Sequence, residues 1–223
     1  MRPLILAVDT TRELGSLAVA RGGGIVEEIL LRAPDGFAHV IYEHLAGLLA
    51  RHDLEADDID CFAAASGPGS FTGVRVGLAC IKGLAEVCGR PAVAVSNLQA
   101  LAACGSAPLR AAVLDARRGQ VYGAVYDSEG CVVAPETVAD AAKWLDGLPQ
   151  ADLEFVTLDP DLVRGAFTGT RYDGASVTTA PQALAGAIAR IACTRFLRGE
   201  AADPALLDAN YVRRSDPELF WKE

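Results

Sequence analysis

Apolar residues along this chain fall first into short unbroken runs and then into longer stretches of helical spacing. Leu4-Ile5-Leu6-Ala7-Val8 stops at Asp9-Thr10-Thr11, as a buried strand does when it meets a polar turn. Leu14 to Ala20 and Ile25 to Leu31 predict two further strands, joined by a hairpin at Gly22-Gly23-Gly24. From Ala38 to His52 the period changes, with Ile41, Leu45, Leu48 and His52 on one helical face. Cys61 to Ala65 predicts a fourth strand and Pro91 to Val95 a fifth, ending at Ser96-Asn97. Between them Val74 to Val87 predicts a helix that is apolar over most of its circumference.

The order of three strands, helix, strand, helix, strand is that of the ribonuclease H-like fold, the building block of actin-like and sugar-kinase-like ATPases. Arg110 to Asp115 and Gln120 to Tyr126 restart the pattern with a strand that again ends in Asp. The expectation is therefore an α/β protein of the actin-like ATPase fold with two lobes. Residues 1–104 form the first, with a C-terminal segment packing back on it. Residues 105–223 form the second, which includes a helix from Gln182 to Arg198 and a loosely ordered tail. The second lobe reads as degenerate, because Asp127 to Gly174 shows only a short helix near Ala139 to Leu145 and a strand at Glu154 to Thr157.

The stretch Ser66-Gly67-Pro68-Gly69-Ser70-Phe71-Thr72-Gly73 links the fourth strand to the apolar helix, and Ser70 or Thr72 can cap that helix. Two readings are open. The glycines allow a tight structural turn, or they expose N–H groups at a helix N-terminus where an anion binds. The spacing matches neither the P-loop, which needs Lys and Ser or Thr after its last glycine, nor the G-x-G-x-x-G dinucleotide fingerprint.

Charge and cysteines narrow the function. The net charge is −9, and no basic stripe suited to tracking nucleic acid is visible, since Arg117-Arg118 and Arg213-Arg214 stand apart. Six cysteines are scattered without C-x-x-C spacing, as expected of reduced thiols in a cytoplasmic protein. No apolar run is long enough for a signal segment or a membrane span.

Asp9-Thr10-Thr11-Arg12 and Asp115-Ala116-Arg117-Arg118 stand where actin-like ATPases hold phosphates, but neither has a glycine just after its Asp. Independent ATP hydrolysis is not expected, although Thr10, Thr11, Ser70, Arg117 and Arg118 are the candidates for contact with a nucleotide or anion. A ribonuclease H-like nuclease needs carboxylates from the first strand, first helix and fourth strand. Asp9 and Glu43 supply two, and Ser66-Gly67 leaves the third missing. His39 and His44, about 140° apart on a helix, do not grip one ion. No catalytic residue, metal or cofactor is assigned.

Four stretches resemble the successive signatures of the bacterial TsaB (YeaZ) family: Leu4 to Thr11, Ser66 to Leu78, Ala94 to Leu98 and Leu114 to Tyr122. Tyr211-Val212-Arg213-Arg214 resembles that family's ending. The resemblance implies a non-catalytic subunit that pairs with the TsaD (Kae1-like) paralogue and works with the TsaE ATPase. Together these transfer a threonylcarbamoyl group to the adenosine beside the tRNA anticodon, with tRNA met only through the complex. The catalytic paralogue carries H-x-x-x-H on its first long helix, from which the His39 and His44 spacing departs. A self-sufficient kinase-like nucleotide enzyme and a glycoprotease-like peptidase are the alternatives.

The apolar girth of the second helix exceeds what one sheet face needs. The surplus, Gly73, Gly77, Cys80 and Leu84 with Tyr42, Ala46 and Leu49 of the first helix, is expected to be exposed and to form the partner face, giving a homodimer alone and a heterodimer with the paralogue.

Overall fold

Among the described residues ten strands divide into two sheets that share one internal order. The computed structural model describes residues 2–213. Of the loosely ordered tail expected from Asn210 to Glu223, residues 214–223 lie outside them. In the first sheet β1 (Leu4–Asp9) pairs antiparallel with β2 (Leu14–Arg21), and β2 with β3 (Gly24–Arg32). On its other side β1 runs parallel to β4 (Cys61–Ala65), and β4 to β5 (Ala92–Val95), giving the order β3-β2-β1-β4-β5. Strands buried on both faces need no alternation, and every residue of β1 and β4 is buried.

Helices α1 (Ile41–Ala50) and α2 (Phe71–Val87) cover one face. Leu45, Leu48, Leu78 and Ile81 share a core with Leu6, Val8 and Phe62. The helix expected from Ala38 starts later, because Phe37–His39 forms a separate 3-10 turn behind Gly36, whose φ is 93°. Helix α3 (Asn97–Ala102) follows β5.

In the second sheet β6 (Leu109–Asp115), β7 (Gln120–Asp127) and β8 (Val132–Asp140) form an antiparallel meander. Strands β9 (Glu154–Thr157) and β10 (Val177–Thr179) add on in parallel, so the order β8-β7-β6-β9-β10 repeats that of the first sheet. What is reduced in this lobe is its helices: α4 (Ala141–Asp146) and α5 (Pro160–Phe167) have 6 and 8 residues, against 10 and 17 for α1 and α2. Their apolar residues, with Trp144, Phe155, Phe167 and Tyr172, make a second core.

The final helix α6 (Ala185–Leu197) was expected in the second lobe, and here the structure differs. Met1–Asn97 and Gln182–Asn210 make one compact unit, and Leu98–Pro181 with the segment from Tyr211 the other. Successive strand residues face opposite ways, so while Phe62 meets the α1 and α2 core, Cys61 is turned toward Cys193 of α6. The Ser16 hydroxyl accepts the Leu184 and Ala185 N–H groups at 3.1 and 3.0 Å, and Glu28 accepts that of Gly186 at 2.7 Å. These first-sheet side chains satisfy the start of α6, which has no capping side chain at Leu184.

Candidate functional site

The first unit is organised behind Asp9, whose carboxylate is wholly buried and so must be matched by donors. Oδ1 accepts the Thr11 N–H at 2.9 Å and the Thr11 hydroxyl at 2.6 Å, with the Asn97 amide at 3.5 Å. Oδ2 pairs with Arg12 Nη2 at 3.2 Å. Asn97 also donates to Thr11 Oγ1 at 2.8 Å and accepts the Gly67 N–H at 3.0 Å. Sequence reasoning passed over Asn97 as a strand end. The polar pair Ser96-Asn97 straight after the apolar run Ala92-Val93-Ala94-Val95 was the available signal.

The glycine loop and the start of α2 close on this turn. Ser70 N–H donates to the Thr11 carbonyl at 2.7 Å, and the Thr10 hydroxyl to the Gly73 carbonyl at 2.7 Å. A Cβ on Gly73 would stand 2.0 Å from the Thr10 carbonyl oxygen, and one on Gly77 2.7 Å from Thr10 Oγ1. Those glycines serve helix-to-turn contact. Four of the loop's N–H groups are used inside the protein: Ser66 on the Val95 carbonyl, Gly67 on Asn97, Ser70 on Thr11 and Gly73 on the Ser70 hydroxyl. Of the side chains in the anion reading, Thr10 and Thr11 are buried with their hydroxyls bonded and Ser70 is the N-cap of α2.

Beyond the turn lies the outer face of α1 and α2. Tyr42 is 58% exposed, and Ala46 is exposed beside it. The Tyr42 hydroxyl bonds to the Cys80 thiol, and the neighbouring Cys80 together with partial burial pushes the phenol pKa up. Burial pushes the Cys80 thiol up to about 11. Gly73, Gly77, Cys80 and Leu49 are buried and Leu84 is half-buried, which corrects the expectation that they lie open. The Thr10 turn rises against α2 and takes up the side that a flat sheet would leave uncovered. The exposed stripe is instead Thr72, Ala79 and Gly83 with half-buried Val76, recurring at i, i+4, i+7 and i+11. Arg75 lies over the Phe71 ring, 3.7 Å from its centre, at the edge of that stripe.

In the second unit Asp115 is exposed and takes the Arg117 N–H at 2.7 Å. Arg117, Arg118 and Gly119 all have left-handed backbones, with φ of 63°, 56° and 74°. The two arginines are exposed. His39 sits in the 3-10 turn and His44 is exposed on α1, as is Glu43, so Asp9 and Glu43 form no joint metal site. Among the described residues no group of three or more His, Cys, Asp or Glu side chains is placed to hold a metal ion, and no helix is long and apolar enough to cross a membrane.

Comparison with known proteins places this geometry. The family model described as "TsaD: tRNA N6-adenosine threonylcarbamoyltransferase" matches residues 15–165. The tRNA threonylcarbamoyladenosine biosynthesis protein TsaB of Bacillus subtilis is 31% identical, over 98% of this chain and 98% of that protein. Its Escherichia coli counterpart is 30% identical over 98% and 97%. The tRNA N6-adenosine threonylcarbamoyltransferase of Novosphingobium aromaticivorans is 42% identical, but over only 34% of this chain and 21% of its own length. Among solved structures, YeaZ from Pseudomonas aeruginosa has a TM-score of 0.80 at 25% identity, covering 94% of this chain and 99% of that one. The component A of Acidaminococcus fermentans (R)-2-hydroxyglutaryl-CoA dehydratase, at 0.54 and 11% identity over 86% and 98%, shares the fold. With these matches running from end to end and both sheets in the ribonuclease H-like order, the chain belongs to the TsaB (YeaZ) family.

Proposed function

We propose that this chain serves tRNA threonylcarbamoyladenosine biosynthesis in the cytoplasm as a non-catalytic subunit, paired with a TsaD-type transferase and acting with the TsaE ATPase. The observation that carries the reading is one of length. Similarity spans 98% of the Bacillus subtilis biosynthesis protein, whereas the Novosphingobium transferase is matched over 21% of its length. The first unit supports the division of labour, because Thr10, Thr11 and Gly73 spend their polar groups closing its aspartate turn against α2.

The partner surface is the outer face of α1 and α2: Tyr42 and Ala46 with Thr72, Val76, Ala79 and Gly83. Small side chains let a partner helix approach closely, and the Asp9 network holds α2 in place behind them. The same face pairs two copies when the chain is alone. Ala79→Arg and Gly83→Arg test it. Ala79 is exposed and no atom outside the helix lies within 4 Å of a Cβ on Gly83, so both variants fold normally. Each loses the homodimer, pairing with the transferase paralogue and tRNA modification by the reconstituted set. Normal pairing by both variants overturns the surface, and full-rate modification without this chain overturns the function.

A further inference from the structure

Arg117-Arg118 and Arg213 stand far apart in the sequence, but the fold brings Arg213 to the turn that carries the pair. Arg213 Nη2 donates to Gln120 Oε1 at 2.6 Å, and its guanidinium carbon lies 5.6 Å from the centre of the Tyr122 ring. Gln120 in turn closes the β6–β7 turn, its N–H donating to the Arg117 carbonyl at 3.0 Å. The C-terminal segment therefore sets Arg213 beside the turn that bears Arg117 and Arg118.

That turn is held in a costly shape. A non-glycine residue in the left-handed region costs on the order of 1 kcal/mol, and two arginines occupy it in succession. Asp115 fixes the first through its N–H, while Asp140, opposite Gln120 in the ladder, accepts the Ala142 and Lys143 N–H groups. Arg117, Arg118 and Arg213 thus bring three guanidinium groups to one end of the β6–β7 hairpin, on a chain whose net charge is −9. Guanidinium groups are planar donors matched to phosphate oxygens, and one anchored by an amide and a ring loses little freedom on binding.

We propose that the β6–β7 turn and the adjoining Arg213 form a phosphate-binding surface, which on the function proposed above receives the tRNA backbone within the complex. The surface lies wholly within the second unit. It adds contacts to those of the partner, and an isolated acidic chain with so few cations binds tRNA weakly at physiological salt.

The test substitutes Arg117→Asn with Arg118→Asn, because Asn accepts the left-handed backbone and removes the charge. Arg213→Gln is a second, independent variant, and Arg117→Lys with Arg118→Lys keeps the charge. Fluorescence anisotropy with labelled tRNA, on this chain joined to its transferase paralogue, is measured across a salt series. The Asn pair weakens binding roughly tenfold and lowers the slope of log K against log salt by about 1 to 2, while the Lys pair keeps the slope. A parallel titration with inorganic tripolyphosphate uses the chain alone. Tripolyphosphate bound by the wild type and lost by the Asn pair, with tRNA unaffected, assigns the surface to a small polyphosphate. Unchanged tRNA affinity and slope with no tripolyphosphate binding overturns the proposal. Failure to pair with the paralogue is seen separately, and it counts against the proposed function while leaving the tripolyphosphate result readable.

Discussion

Asp9 closes β1 and Asp115 closes β6, at the same place in two sheets of the same strand order, yet the first is wholly buried and the second is exposed. Around Asp9 every neighbour points inward: Thr11, Arg12 and Asn97 to the carboxylate, Thr10 to the Gly73 carbonyl. Asp115 takes a backbone N–H from Arg117, and although Ala116 is buried, Arg117 and Arg118 are exposed. The second unit buries a different acid. Glu154 accepts the Ser106 and Ala107 N–H groups at 2.6 and 2.7 Å and the Thr178 hydroxyl at 2.6 Å. One position in the fold thus serves to seat a helix in one lobe and to present charge in the other.

The most direct way to break this contrast is Asp9→Ala, which strands Arg12, Thr11 and Asn97 without their acceptor and costs about 4 kcal/mol. Asp115→Ala costs about 1 kcal/mol. Urea midpoints compare the two, and equal losses contradict the assignment. Gly73→Ala comes next, at about 3 kcal/mol, because the added carbon meets backbone. Gly119→Ala has no atom within 4 Å and costs only the left-handed strain, about 1 kcal/mol.

A pH series sharpens the comparison at Glu154. Burial pushes its pKa up, but the Ala107 and Ser106 N–H groups, the Thr178 hydroxyl and nearby Arg110 pull harder, so it lies below the ordinary carboxylate value. A depressed pKa stabilises fully above the unfolded value and is lost as pH falls through the folded one. Glu154→Gln therefore destabilises by about 1 to 2 kcal/mol at pH 7, and the gap to the wild type closes in acid. The smallest effect is chemical. Burial raises the Cys61 thiol to about 12 and Cys80 to about 11, while Cys131 is exposed, so a disulfide reagent at pH 8 labels Cys131 first and reaches the other two only on unfolding.

The first sheet was legible because its central strands β1 and β4 are wholly buried: the Cys61 to Ala65 expectation matches β4 residue for residue. The second sheet hid β8, whose Val132–Asp140 run carries Pro135, a residue that weakens a strand pattern but is tolerated on an edge strand. It also hid α5, although Asp159 before Pro160 is a helix start with cap and N1 proline. At the candidate site, the apolar girth of α2 was legible and its direction was not. Periodicity fixes which residues share a face but not which face meets the sheet. That Gly73 and Gly77 face inward depends on the Thr10 turn, a contact between segments some sixty residues apart.

The return of α6 to the first sheet sets an order of events during synthesis. By Val95 all five strands of that sheet have been made, but the helix that covers their second face is complete only at Leu197. At about 5–20 residues per second, the intervening roughly 100 residues take about 5–20 s to emerge. For that interval Ile5, Ala7, Cys61 and Ala63, all wholly buried in the finished protein, lack their cover. The inserted second unit, carrying its own core, is free to fold first. The nascent chain is thus most exposed to aggregation and to chaperones just before its last helix arrives.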